Sequence, residues 1–529
     1  MSKESFKYNN HIILNKETRW ASESEIKRNA NHLNLLDTQY PTAGIPLMSD
    51  AKEAWVDGLD HHTLIFGATG SKKTRLFCLP TVNMMIKAGE SFVVTDPKGE
   101  IFARTYHYAK ENGYKTAVLN FRDLSRGDCW NPLNMPYKFY KSGDINKAIS
   151  FINDFIEIIK SPLTVGTLDP FWYETAHSLI LANMIFLMEC GKENEINITS
   201  LSNMSGLDNM EWLKRLTQFM DSKSIAGINY KNIFTSAEKT LQRICISVYS
   251  MLRIFNIQPN LSRMLSNSSF DVENIGNEKT AIYIIVPDEK VTYHFLAAAF
   301  IKQLYDALID VSQKQPAGRL PVRVNFVLDE FCNMPKIPSM SSMISAARSR
   351  NMRFFLVAQN IHQLVAKYGQ DADTIKGNCE NWVFLASKEL KLLEEISSLC
   401  GNYREASGNV RSLISVSELQ HLDKGKGEAL ILYGRNYPFI THLPDIDDYK
   451  MFQSEKATVE LPEIHHDYAI FDLKEYARAI RRDRKPFPFS SVESSADHDL
   501  HSDISTAGSS AGDDLSFMYK PDADNDRFD

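Results

Sequence analysis

The 529-residue chain predicts an α/β fold, a mostly parallel sheet interrupted by an all-helical insertion and followed by a disordered acidic tail. Three observations carry this. Eight short apolar runs are nearly continuous in Val, Ile, Leu and Phe, the pattern of strands buried on both faces. Between about residues 141 and 275 such runs vanish and helical periodicity replaces them. From about 486 onward, Ser, Asp, Ala and Gly displace the apolar residues.

In chain order, residues 1–50 form an N-terminal segment, and its leader Met1–Trp20 is polar with no signal-peptide apolar region. Strands are expected at Thr63–Phe66, Ser91–Thr95 and Thr116–Leu119. The insertion 141–275 follows. Ile145, Ile149, Ile152, Ile156 and Ile159 share one helical face, with Ser142 or Asp144 available as its cap. A second helix spans about Pro170–Cys190 and stops at Gly191. Strands resume at Ala281–Val286, Asn325–Leu328, Phe354–Ala358, Trp382–Ala386 and Glu428–Tyr433. The nucleotide-binding domain is thus expected over 51–140 and 276–455, with a helical, basic segment at 456–485 holding Arg478, Arg481, Arg482, Arg484 and Lys485.

Charge is unevenly divided. Residues 486–529 hold ten acids and two bases, a charge of −8, which leaves the body at +1 against a total of −7. So polar a tail buries too little apolar surface to offset its ordering entropy. The seven cysteines lack any CxxC pair, which points to reduced thiols of a cytosolic protein and excludes a disulfide framework or a zinc site. The longest apolar stretch, Leu179–Met188, is short of the roughly 18–20 residues of a membrane span.

The first apolar run leads into Gly67-Ala68-Thr69-Gly70-Ser71-Lys72-Lys73-Thr74 and then a helical stretch. That is the strand–loop–helix setting of a phosphate-binding loop, G-x-x-x-x-G-K-[ST]. Its backbone N–H groups and the helix N-terminus cradle phosphate oxygens. Lys73 reaches the β/γ-phosphates and Thr74 holds Mg2+. Lys72 departs from the pattern by standing where glycine lets the backbone approach phosphate. Its side chain either crowds that approach or adds a second ammonium to it. Asp96-Pro97-Lys98-Gly99-Glu100, after the second strand, reads by itself as an ordinary turn.

Asn325–Leu328 ends in Asp329-Glu330. With a phosphate loop on a neighbouring strand, Asp329 is expected in the Mg2+ shell and Glu330 as the group polarising the attacking water. Downstream stand Arg348 and Arg350, then a strand ending at Gln359. Arginine supplies a permanent planar charge to phosphate, and a glutamine at a strand end senses the γ-phosphate. The pairs His61-His62 and His465-His466 lack further ligands at metal spacing and read as surface or capping residues; Trp172 and Tyr173 read as helical core.

Taken together, the ordered series resembles the VirD4/TraG-type coupling proteins of conjugation and type IV secretion. It runs over most of 18–445, through Thr18-Arg19-Trp20-Ala21, Gly67–Thr74, Asp96–Glu100, Trp130-Asn131-Pro132-Leu133 and Asp169-Pro170-Phe171-Trp172. It continues through Ala237-Glu238-Lys239-Thr240, Leu328-Asp329-Glu330-Phe331, Ala347-Arg348-Ser349-Arg350, Ala358-Gln359-Asn360, Tyr368-Gly369, Gly377-Asn378-Cys379 and Leu432–Tyr437. The resemblance implies a RecA-like ATPase domain with an all-helical insertion, assembled as a homo-hexamer. Such a protein uses ATP and Mg2+, brings a relaxase–DNA cargo to a type IV secretion channel and drives single-stranded DNA through it. It assigns Lys73 and Thr74 to nucleotide and Mg2+, Asp329 and Glu330 to the second acidic motif, Arg348 to a finger acting in trans and Gln359 to a sensor. Relatives usually begin with transmembrane helices, whereas here the similarity starts after a short polar leader; either the membrane anchor is a separate partner, with this chain peripheral at the inner membrane face, or the chain is a truncated or genuinely soluble form. Two other readings stay open: a docking adaptor whose turnover Lys72 disables, and a soluble helicase-like motor. An acidic tail that captures cargo fits the coupling role.

Overall fold

The computed structural model describes residues 18–160, 170–405, 407–450, 452 and 457–483. Strands β1 (Asn31–Asn34), β2 (Pro46–Ser49) and β3 (Glu53–Val56) form a small antiparallel sheet with β3 in the middle. Four-residue strands are too short for periodicity to show them in the sequence. All eight apolar runs fall in one nine-stranded sheet. It contains β4 (Thr63–Phe66), β5 (Ser91–Thr95), β6 (Lys115–Asn120), β7 (Thr280–Ile285), β8 (Val324–Leu328), β9 (Met352–Ala358) and β10 (Asn381–Phe384). A separate hairpin, β11 (Asn402–Arg404) with β12 (Val410–Ser412), precedes the last two strands, β13 (Glu428–Tyr433) and β14 (Phe439–His442).

The strand order is β14-β13-β10-β4-β9-β8-β5-β7-β6. From β10 to β6 every pair is parallel, whereas β13 and β14 add antiparallel at one side. Every residue of β4, β5, β7, β8 and β9 is buried, which accounts for their unbroken apolar runs. β14 alternates buried and exposed residues, so its four positions offer no such signal. The parallel register sets Phe66 level with Ala358 and Phe384, and Thr95 level with Leu328. The carboxyl ends of β4, β5, β8 and β9 therefore meet at one edge, where open α/β sheets place their ligands.

Among the described residues between β6 and β7 there is no strand. Asp144 starts the helix Ile145–Lys160 by accepting from the Lys147 backbone N–H at 3.2 Å. Its buried face holds Ala148, Phe151, Ile152, Phe155, Ile156 and Ile159, while Ile145 and Ile149 are only half-buried. The rings of Phe151 and Phe155 rotate this face from the expected isoleucine stripe. The helix Pro170–Cys190 ends where Gly191 predicts. Buried residues on all sides of its second half mark a core helix. No helix of the described residues is long and apolar enough to cross a membrane.

Lys302, on the helix His294–Gln313, lies 2.8 Å from Asp154 and 2.6 Å from Asp306. Lys147 is 2.8 Å from Asp310, so two ion pairs fasten the Ile145–Lys160 helix to the cover of the sheet. Among the described residues all seven cysteines are free, and all but half-buried Cys190 are buried. The C-terminal helix Leu473–Asp483 follows Phe471, which packs with Tyr476 against Phe186. The acidic tail, Arg484, Lys485 and residues 1–17 of the polar leader lie outside the described residues.

Candidate functional site

β4 delivers the loop Gly67–Thr74 to the carboxyl edge, and a widened helical turn, Thr74–Cys78, continues into the helix Leu79–Ala88. Gly67 N–H donates to the Ala358 carbonyl at 3.2 Å and Ala68 N–H to the Ala386 carbonyl at 2.7 Å, tying the loop to the flanking strands. A Cβ at Gly67 would lie 2.4 Å from Ser71 Oγ, so a side chain there would make the Ser71 hydroxyl turn away. Gly70 has φ +76° and Lys72 has φ +66°. The lysine thus adopts a left-handed backbone that glycine takes freely, a conformation uncommon for a residue with a side chain. Lys73 folds across the loop and donates to the Gly67 carbonyl at 2.5 Å. Ser71 Oγ is buried without a partner.

β8 ends beside this loop. Thr74 Oγ1 donates to Asp329 Oδ2 at 3.0 Å, and Thr95 Oγ1 donates to the Asp329 carbonyl at 2.8 Å. Glu330 has φ +53°, the kind of backbone strain that collects at functional sites. Its Oε2 accepts from Gln359 Nε2 at 2.9 Å. The acidic strand is not the neighbour of the loop strand, as the sequence suggests: β9 lies between β4 and β8. That order places Gln359, at the end of β9, between the loop and Glu330.

Asp96 is fully enclosed at the end of β5 and is no ordinary turn residue. It accepts from the backbone N–H of Glu100 at 3.0 Å and of Phe102 at 2.7 Å. Burial pushes its carboxyl up to about 7, with the Asp329 charge adding to the rise. Burial likewise pushes Asp329 up to about 6, helped by Glu330 and opposed by Lys73. Loop residues Thr69–Arg75 and the acids Asp96, Glu100, Asp329 and Glu330 border a cleft of about 180 Å³. Hard oxygen donors at Thr74 and Asp329, two carboxyls raised by burial and the orphaned Ser71 hydroxyl fit a phosphate ligand carrying Mg2+. Among the described residues no group of three His, Cys, Asp or Glu is placed to hold a metal alone.

Arg348 lies elsewhere. It follows the helix Met340–Ala347 and precedes β9, whereas Gln359 follows β9, a strand about 20 Å long. Arg348 pairs with Glu380, which also contacts His61 Nε2 at 2.9 Å; His61 Nδ1 is 3.1 Å from Asp57. Burial would lower the His61 imidazole, but Asp57 and Glu380 hold it above its ordinary range. His62 is a core residue and not a surface one. Its Nε2 donates to the Ile344 carbonyl at 2.8 Å, its Nδ1 accepts from Phe354 N–H at 3.0 Å, and burial takes it down to about 4. Tyr173 is buried as expected; Trp172 is half-buried with the Arg243 guanidinium 5.5 Å from its ring. Arg75 and Asp445 also border the loop and escape sequence reading, because only folding brings residue 445 near residue 72.

Residues 19–413 match the family described as type IV secretory system conjugative DNA transfer. The conjugal transfer protein TraG of Escherichia coli is 24% identical over 362 residues, covering 64% of this chain and 55% of TraG. Protein VirD4 of Rhizobium radiobacter is 22% identical over 375 residues, covering 66% of this chain and 49% of VirD4. The chain therefore spans about half the length of these relatives. In fold it is similar to the bacterial conjugative coupling protein TrwBdeltaN70 in its unbound monoclinic form, with a TM-score of 0.60 at 16% identity over 84% of this chain and 96% of that one. TrwB in complex with the ATP analogue ADPNP gives a TM-score of 0.61 at 16% identity over the same shares, and TrwB with ADP and Mg2+ gives 0.59 at 17%. The matched span takes in the loop, both acids, Arg348 and Gln359, and the chain belongs to the type IV secretory system conjugative DNA transfer family of VirD4/TraG-type coupling proteins.

Proposed function

We propose that this chain is the ATP-hydrolysing part of a type IV coupling protein, which receives a relaxase–DNA cargo at the inner membrane face and moves single-stranded DNA into a conjugative secretion channel. The observation that carries the reading is the meeting of Lys73, Thr74, Asp329, Glu330 and Gln359 at one strand edge. The binding of ADPNP, and of ADP with Mg2+, by TrwB supports ATP and Mg2+ as the ligands.

In this reading Lys73 leaves the Gly67 carbonyl to meet the β/γ-phosphates, while the loop N–H groups hold their oxygens. Thr74 and Asp329 hold Mg2+, which when bound neutralises charge on the β- and γ-oxygens. Glu330, oriented by Gln359, takes the proton of the attacking water. Arg348 stands at the opposite edge, so it acts on the site of an adjacent copy in a ring, where an arginine finger is worth about 10³–10⁵ in rate. The left-handed backbone at Lys72 supports turnover over the adaptor reading, because it is a conformation that glycine at this position also adopts freely.

The test is ATP hydrolysis with and without single-stranded DNA, together with relaxase capture. DNA-stimulated hydrolysis abolished by Lys73→Ala, with capture retained, is the expected result. Capture without hydrolysis, with activity restored by Lys72→Gly, would favour the adaptor. Strand separation without capture would favour a soluble helicase-like motor.

A further inference from the structure

Lys72 has a partner that its sequence position does not announce. Its ammonium lies 3.2 Å from Asp445 Oδ2, and Asp445 borders a different space from the one that Asp329 borders. Asp445 follows β14 and caps the short turn Ile446–Asp448, whose Ile446 is fully buried with Tyr449 just beyond it, so the carboxylate stands on a fixed support. Arg75 donates to Asp445 through Nε at 3.1 Å and through Nη2, and Nη2 also meets Asp447. Arg104 Nη1 reaches Asp447 at 3.2 Å, and its Nε lies 3.3 Å from Glu100. The cluster thus balances three cations against three carboxylates.

Lys72 borders two spaces. One is the cleft holding Lys73 and Asp329; the other, of about 320 Å³, is bounded by Gly427, His442 and Asp445. The ammonium is paired in the second. A side chain at this position threatens the phosphate cradle only if it turns inward, and the ion pair draws it outward.

We propose that Asp445 is a positioning residue for the phosphate loop: it holds the Lys72 ammonium outside the cradle, which lets a lysine stand where backbone must approach phosphate. The proposal rests on the reading of Gly67–Thr74 as a nucleotide loop. Released from Asp445, the ammonium turns toward the phosphates and retains the product.

The experiment measures MgADP affinity, and KM and kcat for ATP, in the full chain and its variants Asp445→Asn, Asp445→Glu, Lys72→Gly and Lys72→Gly/Asp445→Asn. Asp445→Asn keeps an acceptor for Arg75 but loses the charge. It is expected to tighten MgADP about threefold, the scale of a partly exposed ion pair, and to lower KM and kcat together. Asp445→Glu restores the wild-type values, and in the Lys72→Gly background Asp445→Asn changes nothing. Equal effects of Asp445→Asn in both backgrounds, or weaker MgADP binding in the wild-type background, would overturn the proposal while leaving the nucleotide loop standing, provided Lys73→Ala abolishes binding. No MgADP binding by wild type or Lys72→Gly would overturn both.

Discussion

The two ends of β9 bury charge in opposite ways. At its start, Arg353 is almost wholly enclosed yet satisfied: Nε donates to Asn325 at 2.8 Å, Nη2 to Glu90 at 2.7 Å, and Nη1 to the carbonyls of Ala43 and Leu59 at 2.9 and 3.0 Å. Near its finish, Asp96 and Asp329 are enclosed with Lys73 turned to a carbonyl, and their carboxyls rise toward neutrality. A buried charge that closes its own network holds a fold together. One that lacks a counter-charge is shaped for a ligand.

Five substitutions probe this contrast, in falling order of effect. Lys73→Ala and Glu330→Gln act at the phosphate edge, and each is expected to cost about 10²–10⁴ in ATP turnover with little change in melting temperature. A large loss of stability would place these residues with the structural charges. Arg353→Met at the other edge leaves buried Glu90 with only the longer Arg323 pairing, at 3.5 Å, as its counter-charge and should cost about 3–5 kcal/mol in urea denaturation. A small loss would mean that the network does not need its arginine.

Glu189 extends the contrast to the helical region. It accepts from Tyr140 at 2.6 Å, its second oxygen is buried without a partner, and burial pushes it up to about 7. A carboxyl raised in the folded state binds its proton more tightly there. Its contribution is therefore complete below its ordinary value near 4.5 and is lost as pH rises through about 7. Glu189→Gln should raise the melting temperature relative to wild type at pH 8 and leave it level at pH 4.5; a constant difference would contradict the assignment. The smallest effect on stability belongs to Arg348→Ala. Its pairing with Glu380 is partly exposed, so stability should move by less than about 0.5 kcal/mol, while ATP turnover falls only at concentrations where copies assemble. A loss of the same size in dilute monomer would remove the trans role.

The strands of the parallel sheet were legible because burial on both faces writes itself into consecutive residues, as in Phe326-Val327-Leu328. The phosphate loop was legible because phosphate geometry demands particular residues at fixed spacing. Strand order was not: nothing local says that β9 enters between β4 and β8. Partners across hundreds of residues were equally hidden, so the sequence leaves Lys72 either crowding the phosphate or attracting it, and does not show its pairing with Asp445. Asp96 carried a weak signal, an acid directly after an apolar strand, which a turn explains as well. The helix Ile145–Lys160 shows the limit within one element, since aromatic bulk at Phe151 and Phe155 rotated its buried face.

The central claim is that the carboxyl edge of the sheet is a working phosphate site. Its most direct test is Mg2+-dependent ATP hydrolysis by the full chain beside Lys73→Ala, both verified as folded by their melting temperatures. Turnover by wild type with none by Lys73→Ala is predicted; equal rates, or no nucleotide bound by either protein, would contradict it.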